Sequence, residues 1–273
     1  MKLTSLFILV TSLSLIACKK HAANTGLSLI EKTITVSGHN IDTYSTNRNA
    51  KYLVVFESGL GDDHAVWPKK CLDAIAQQAD VLTYSRAGYG KSESGPAPRN
   101  IATLSAGLEK VIEQFSGNRK VILIGHSLGG MIVRDYAIKH PSKTAAILFV
   151  DPSHEHYNRP SVADQEMIYN YFAKATGSKS GGAQEAKSLI EDSEYTATLP
   201  ALPNVPVIVL TSMKTDADHA TADRKKWFDA HEMLGTSLSD FQHIAVTNAG
   251  HYIMTDAPEI LISNFNTLLS KLR

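Results

Sequence analysis

The stretch Val121-Ile122-Leu123-Ile124-Gly125-His126-Ser127-Leu128-Gly129-Gly130 decides the fold. Four apolar residues, three of them β-branched, run straight into a glycine. That is the pattern of a strand buried on both faces of a parallel sheet. Residues 128–138 then carry apolar groups at helical spacing, so almost no loop joins strand to helix. A turn that sharp forces its apex residue into a strained backbone conformation and tolerates only small neighbours. Ser127 occupies the apex, and Gly125 and Gly129 clear the space around it. This is the G-x-S-x-G arrangement that holds a serine hydroxyl exposed above a sheet edge.

Outward from this turn the chain alternates strands with helices. Upstream, residues 27–36 and 40–44 read as an antiparallel hairpin around Ser37-Gly38. A strand at 52–56 opens into Ser58-Gly59-Leu60-Gly61-Asp62 and a helix at 65–78. A strand at 81–84 ends in Ser85-Arg86-Ala87-Gly88-Tyr89-Gly90-Lys91-Ser92, and Pro96 and Pro98 precede a helix at 101–115. Downstream come a strand at 145–150 closed by Asp151-Pro152, a strand at 205–211, a helix at 220–234, a strand at 243–246 and a helix at 258–272. Strands and helices on short loops predict an α/β fold, a parallel sheet with helices on both faces. Residues 154–204 break the rhythm. They are polar, with helical runs at 162–174 and 183–191, and read as a helical cap over one end of the sheet.

The 273 residues suffice for one large domain, here 27–273. Charges balance at 27 against 27 with no basic stretch, which excludes nucleic acid as a partner. Residues 1–17 have the positive start and short apolar stretch of a secretory signal peptide, too short for a stable membrane span. Leu15-Ile16-Ala17-Cys18 resembles a bacterial lipobox. That resemblance implies cleavage before Cys18, a diacylglycerol on its sulfur, a tether over 18–26 and a membrane-anchored lipoprotein. Lys19, where an aspartate would favour inner-membrane retention, points to the outer membrane with the protein facing the periplasm. With Cys18 lipidated, Cys71 stands alone and no internal disulfide is expected. Its helical apolar context makes it a small core residue.

A serine hydroxyl needs a base within hydrogen-bond reach. Of eleven histidines, His251 follows Gly250 just past the last strand, at the sheet edge that carries Ser127. His39, His140, His219 and His231 lie in hairpin, helix-end or polar helical contexts. Two carboxylates compete to orient the base: Asp151, abutting an apolar strand and stiffened by Pro152, and Asp216, in a polar run beyond the strand at 205–211. The firmer mounting favours Asp151, with Asp216 the alternative. The developing oxyanion requires backbone donors, for which the amides of Leu128 and Leu60 are placed. Tyr157, Met167, Tyr169, Tyr171 and Phe172 either line an acyl pocket or simply pack. His154, Glu155 and His156 do not by themselves close a metal shell, so no metal is expected. Arg86 and Lys91 carry no assigned role.

Glu57-Ser58-Gly59-Leu60-Gly61-Asp62, Tyr84-Ser85-Arg86-Ala87-Gly88-Tyr89-Gly90, Gly125-His126-Ser127-Leu128-Gly129-Gly130 and Ala249-Gly250-His251 together resemble the α/β-hydrolase fold superfamily. The resemblance implies three layers, an eight-stranded, mostly parallel sheet, a Ser-His-Asp triad, no cofactor, and a helical cap where residues 154–204 lie. It implies a serine hydrolase cleaving a carboxylic ester or related acyl bond of a small molecule through an acyl-enzyme. Amides, lactones and carbon–carbon bonds, or ligand binding without turnover, are the alternatives. Epoxide hydrolases and haloalkane dehalogenases of this fold use an aspartate nucleophile, against which Ser127 argues. Two positions depart from the pattern. Ser58-Gly59 stands where many relatives have His-Gly, and the turn that often supplies the acid as Gly-x-x-Asp reads Ser212-Met213-Lys214-Thr215, with Asp216 one place late. Some members carry the acid after the earlier strand, which adds weight to Asp151.

Overall fold

The computed structural model of the protein describes residues 28–216 and 220–272. The signal segment, Cys18, the tether to residue 26 and His219 lie outside the described residues. One eight-stranded sheet has the order β1-β2-β4-β3-β5-β6-β7-β8. The strands are β1 (Ile30–Val36), β2 (His39–Ser45), β3 (Leu53–Glu57), β4 (Asp80–Tyr84), β5 (Val121–His126), β6 (Thr144–Val150), β7 (Val207–Ser212) and β8 (Phe241–Val246). The hairpin β1-β2 joins antiparallel to β4, and every pairing from β4 to β8 is parallel.

Alternation along the buried strands feeds two cores. Val121 and Leu123 of β5 face a layer that holds α2 (Ile101–Ser116) and α3 (Leu128–Lys139). Ile122 and Ile124 face the opposite layer, with α1 (Lys69–Ala76) and α9 (Pro258–Ser270). Cys71 is buried in that second core, as expected. Register pairs Glu57 with Gly125, His126 with Val150, and Val150 with Leu210. The carboxyl ends of four neighbouring strands therefore finish level, and the loops leaving them share one edge.

Between β6 and β7 the chain makes the cap helices α4 (Val162–Thr176), α5 (Gly181–Ala186) and α6 (Leu189–Thr196). The helix expected over 183–191 is thus two helices, broken at Ser188, whose backbone (φ −109°, ψ 2°) leaves helical geometry. The helix expected over 65–78 also starts late. Asp63 caps a 3₁₀ turn at His64–Val66, and Pro68, which lacks an N–H, stands as N-cap of α1. Thr221–Glu232 forms α7 against β7 and β8, and the four-residue α8 (Ile253–Asp256), too short for a periodic signal, precedes α9.

Candidate active site

The turn after β5 has the strained geometry its sequence requires. Ser127 has φ 52° and ψ −124°, a region costly for a non-glycine residue. A Cβ on Gly129 would lie 2.6 Å from the Ser58 carbonyl oxygen, and one on Gly125 would lie 2.7 Å from the Gly129 carbonyl oxygen. Only bare backbone lets the β3 loop approach this closely. The Ser127 carbonyl accepts from Gly130 N (2.8 Å) and Ser153 N (2.9 Å), which fixes the turn from both sides. Leu128 opens α3, so its N–H has no acceptor within the helix.

Asp151 directly follows β6, also at positive φ (45°), and is fully buried. Its Oδ1 accepts from Ser212 N (2.8 Å) and Trp227 Nε1 (2.7 Å), and its Oδ2 lies 2.7 Å from His251 Nδ1. Burial alone would raise this carboxyl. The hydrogen bond and charge of His251, the charge of His231 and the Ser212 amide together hold it below the usual aspartate range. Because an ionised carboxylate only accepts, Nδ1 of His251 carries a proton, so in the neutral imidazole it is Nε2 that presents the lone pair. Asp216 is exposed in the loop after β7, while the His251 ring turns its Nδ1 to Asp151.

The loop that carries His251 is held along its length. Ser212 Oγ donates to Ala249 O (2.8 Å), and Gly250 N donates to Asp256 Oδ2 (2.8 Å). The fully buried His126 ring lies 4.6 Å from that of His251, centroid to centroid. Its Nε2 donates to the His251 carbonyl at 3.1 Å. Burial first, then the charge of His251, push His126 down to about 3, so it stays neutral beside His251. No hydrogen bond joins Ser127 Oγ to His251 Nε2 among the described residues. Such contacts often tighten only when substrate binds.

Ser127, Leu60 and Leu128 border one cavity of about 360 Å³, walled on the cap side by Ile168, Leu189 and Asp192. None of the five residues considered for an acyl pocket lies on it. Met167 and Tyr171 are 64% and 68% exposed on the outer side of α4. Tyr157 donates to Asp223 (2.6 Å), Tyr169 lies under the Lys187 ammonium, and Phe172 packs over Gly61 and Gly182. Since α4 buries no residue, its apolar spacing does not report which side faces the serine.

Three residues matter here that sequence reasoning passed over. His231, read as a polar helical residue, is fully buried near Asp151. It donates from Nε2 to Pro152 O (2.6 Å) and meets the Thr211 hydroxyl at Nδ1 (2.6 Å). Trp227 supplies an indole donor to Asp151, and Arg86 is buried under the β3 loop. His231 and Trp227 lie in a polar helical run and Arg86 in a glycine-rich turn, and neither context signals these partners. Lys91, by contrast, pairs with Glu31 at the surface, and Glu155 is engaged by Arg134 at 2.8 and 3.0 Å.

A family model described as the alpha/beta hydrolase fold matches residues 52–264. The chain is 25% identical over 232 residues to an uncharacterized protein of Bacillus subtilis (strain 168), YqjL, a match covering 85% of this chain and 89% of that one. It is 28% identical over 113 residues to a (lyso)-N-acylphosphatidylethanolamine lipase of Homo sapiens. That match covers 40% of this chain and only 33% of the lipase. Among solved structures, the epoxide hydrolase CorEH superposes with a TM-score of 0.68 at 17% identity, over 90% of this chain and all of the other. At that identity the likeness is one of fold.

Proposed function

Because the chain belongs to the α/β hydrolase fold family, we propose that it is a serine hydrolase that cleaves carboxylic esters through Ser127, His251 and Asp151. The observation that carries this reading is the doubly anchored Asp151 carboxylate at 2.7 Å from His251 Nδ1, which leaves Nε2 as the base. Ser127 Oγ attacks the acyl carbon while its proton passes to His251 Nε2. The carbonyl oxygen becomes an oxyanion facing the N–H groups of Leu60 and Leu128. Collapse expels the alcohol, which takes the proton from His251, and leaves an acyl-Ser127. Water, deprotonated by the same nitrogen, releases the acid and restores the serine.

The ester preference is supported by the serine nucleophile and by the lipase among the partial relatives. Ser127 stands where an epoxide-opening enzyme of this fold would need a carboxylate. A fluorophosphonate probe should label wild type and fail on Ser127→Ala. Aryl esters of increasing acyl length should turn over only with Ser127 present. Folded wild type that neither labels nor hydrolyses any ester defeats the proposal. The lipobox likeness adds a second part, anchorage through lipidated Cys18 at the outer membrane. Cys18→Ser should release the protein from the membrane fraction, and an unchanged distribution would reject anchorage.

A further inference from the structure

Arg86, in the turn after β4, spends all five of its guanidinium N–H groups inside the protein. Nη1 donates to the Ser58 carbonyl (2.7 Å) and to Glu57 Oε1 (2.9 Å). Nη2 donates to the Gly59 carbonyl and to Glu185 Oε2, both at 2.8 Å, and Nε donates to Glu185 Oε1 at 2.9 Å. Glu185 belongs to cap helix α5 and is fully buried. It also accepts from Tyr89 OH (2.7 Å), and that hydroxyl in turn accepts from Gly61 N at 3.0 Å. Three peptide groups of one short loop are therefore held by two side chains, and one cap carboxylate holds both.

The direction of these bonds matters more than their number. The Gly59–Leu60 peptide is trans, so its carbonyl and its N–H point to opposite sides. With the carbonyl drawn onto Arg86, the Leu60 N–H is turned away from the guanidinium. Leu60 borders the Ser127 cavity, and the Cβ position on Gly59 lies 3.2 Å from Ser127 Cβ. The Leu60 N–H makes no hydrogen bond among the described residues. A cation on the carbonyl end also polarises the peptide and makes its N–H a stronger donor.

We propose that Glu185 makes the cap a working part of the oxyanion site: through Arg86 and Tyr89 it fixes the Gly59–Leu60 peptide so that Leu60 N–H faces the developing oxyanion, and turnover requires α5 to be docked. This rests on the serine-hydrolase reading above. Arg86, Tyr89 and Glu185 are positioning residues, acting through the loop. A buried ion pair that merely fastens the cap would give a different result, since loosening it would cost folded protein or substrate affinity and leave the chemical step alone.

The test uses Glu185→Gln and Tyr89→Phe in the full chain. Complete removal of an oxyanion donor costs about 10²–10³ in kcat, and misorienting one should cost about tenfold or more with KM nearly unchanged. Inhibition by an alkyl trifluoromethyl ketone, whose serine adduct carries the oxyanion, should weaken by the factor lost from kcat/KM. Amide exchange in peptides covering residues 57–63 should quicken in both variants. If Glu185→Gln does not fold, Tyr89→Phe decides, because it keeps the buried ring and the three ion pairs Arg86–Glu57, Arg86–Glu185 and Arg99–Glu185 and deletes only the hydroxyl bridge. Folded variants with wild-type kcat, or with the loss confined to KM, overturn the proposal, as does unchanged exchange at 57–63. Wild type inert to esters and fluorophosphonate would instead defeat the hydrolase reading, with exchange still judging the clamp.

Discussion

Replacing Asp151 by Asn tests the catalytic assignment through a proton count. The two donors at Oδ1, Ser212 N at 2.8 Å and Trp227 Nε1 at 2.7 Å, require an oxygen there. The new amide must therefore put its carbonyl on that side and its NH₂ toward His251 Nδ1. An NH₂ only donates, so Nδ1 must become the acceptor and the ring proton must move to Nε2. His251 then meets Ser127 with an N–H and can no longer take its proton. Wrong-tautomer replacements of this kind lower kcat in serine proteases by about 10⁴-fold, roughly 5.5 kcal/mol of transition-state stabilisation. Stability should change little, since Asn keeps the acceptor at Oδ1 and tolerates the positive φ of this position. The assay is kcat/KM on a p-nitrophenyl ester, with a melting curve to establish that the variant is folded. A folded Asp151→Asn protein that keeps more than about a tenth of wild-type activity refutes the reasoning. If Asp216→Asn were the crippled variant, the acid would belong after β7.

Trp227→Phe deletes one donor to the buried carboxylate and should cost about 1–3 kcal/mol in urea unfolding, together with a loss of kcat smaller than that of Asp151→Asn. Gly129→Ala would bring a methyl to 2.6 Å from the Ser58 oxygen and should destabilise by about 1–3 kcal/mol while displacing the β3 loop. A variant of wild-type stability would mean that this approach is looser than described. Burial pushes Asp192 up to about 8. The stability from its raised folded value is present below about pH 4 and is lost as pH rises toward 8. Asp192→Asn, which keeps the acceptor for Ile101 N, should gain on wild type by about 1.4 kcal/mol per pH unit between pH 5 and 7.5. A constant gap in urea titrations at several pH values would show Asp192 to be ionised in the fold. His126 and His231, both pushed down to about 3 by burial, have the opposite effect. Each contributes stability that is present above about pH 6.5 and lost as pH falls toward 3, about 1.4 kcal/mol per unit. Acid unfolding of the Asp192→Asn variant should therefore begin below about pH 6.5, and a flat melting temperature down to pH 5 would show these rings to be accessible to protons.

The sheet was legible because each buried parallel strand is a short apolar run, and each run ends where the chain must turn. The Ser127 turn and the place of His251 follow from that alone, since Ser127 directly follows β5 and His251 lies in the short connection after β8. The choice between Asp151 and Asp216 did not, because it depends on which way the imidazole turns once its loop is pinned by Ser212 and Asp256. His126, His231, Trp227 and Arg86 acquire their partners only through tertiary packing. A histidine at the end of an apolar strand reads the same whether it donates to a neighbouring loop or to water. The cap was legible as helices and illegible as a surface. With α4 lying on the protein and burying nothing, its one contribution to the cavity wall is Ile168, beside Leu189, Asp192 and Ser193 of α6, a pattern no periodicity marks.

With Asp151 proposed as the acid, the loop after β7 carries no proposed catalytic residue. In many arrangements of this kind, that connection must keep its length and shape because a carboxylate hangs from it. Here Lys214, Thr215 and Asp216 are exposed, and Ser212, the last residue of β7, already completes the loop's service by donating its amide to Asp151. The exposed pair Lys214 and Thr215 therefore offers a place for added sequence. A reporter domain, an affinity handle or new chain termini introduced there should leave the proposed esterase activity intact, whereas the same insertion between Asp151 and Ser161 would unseat the proposed acid and the cap together.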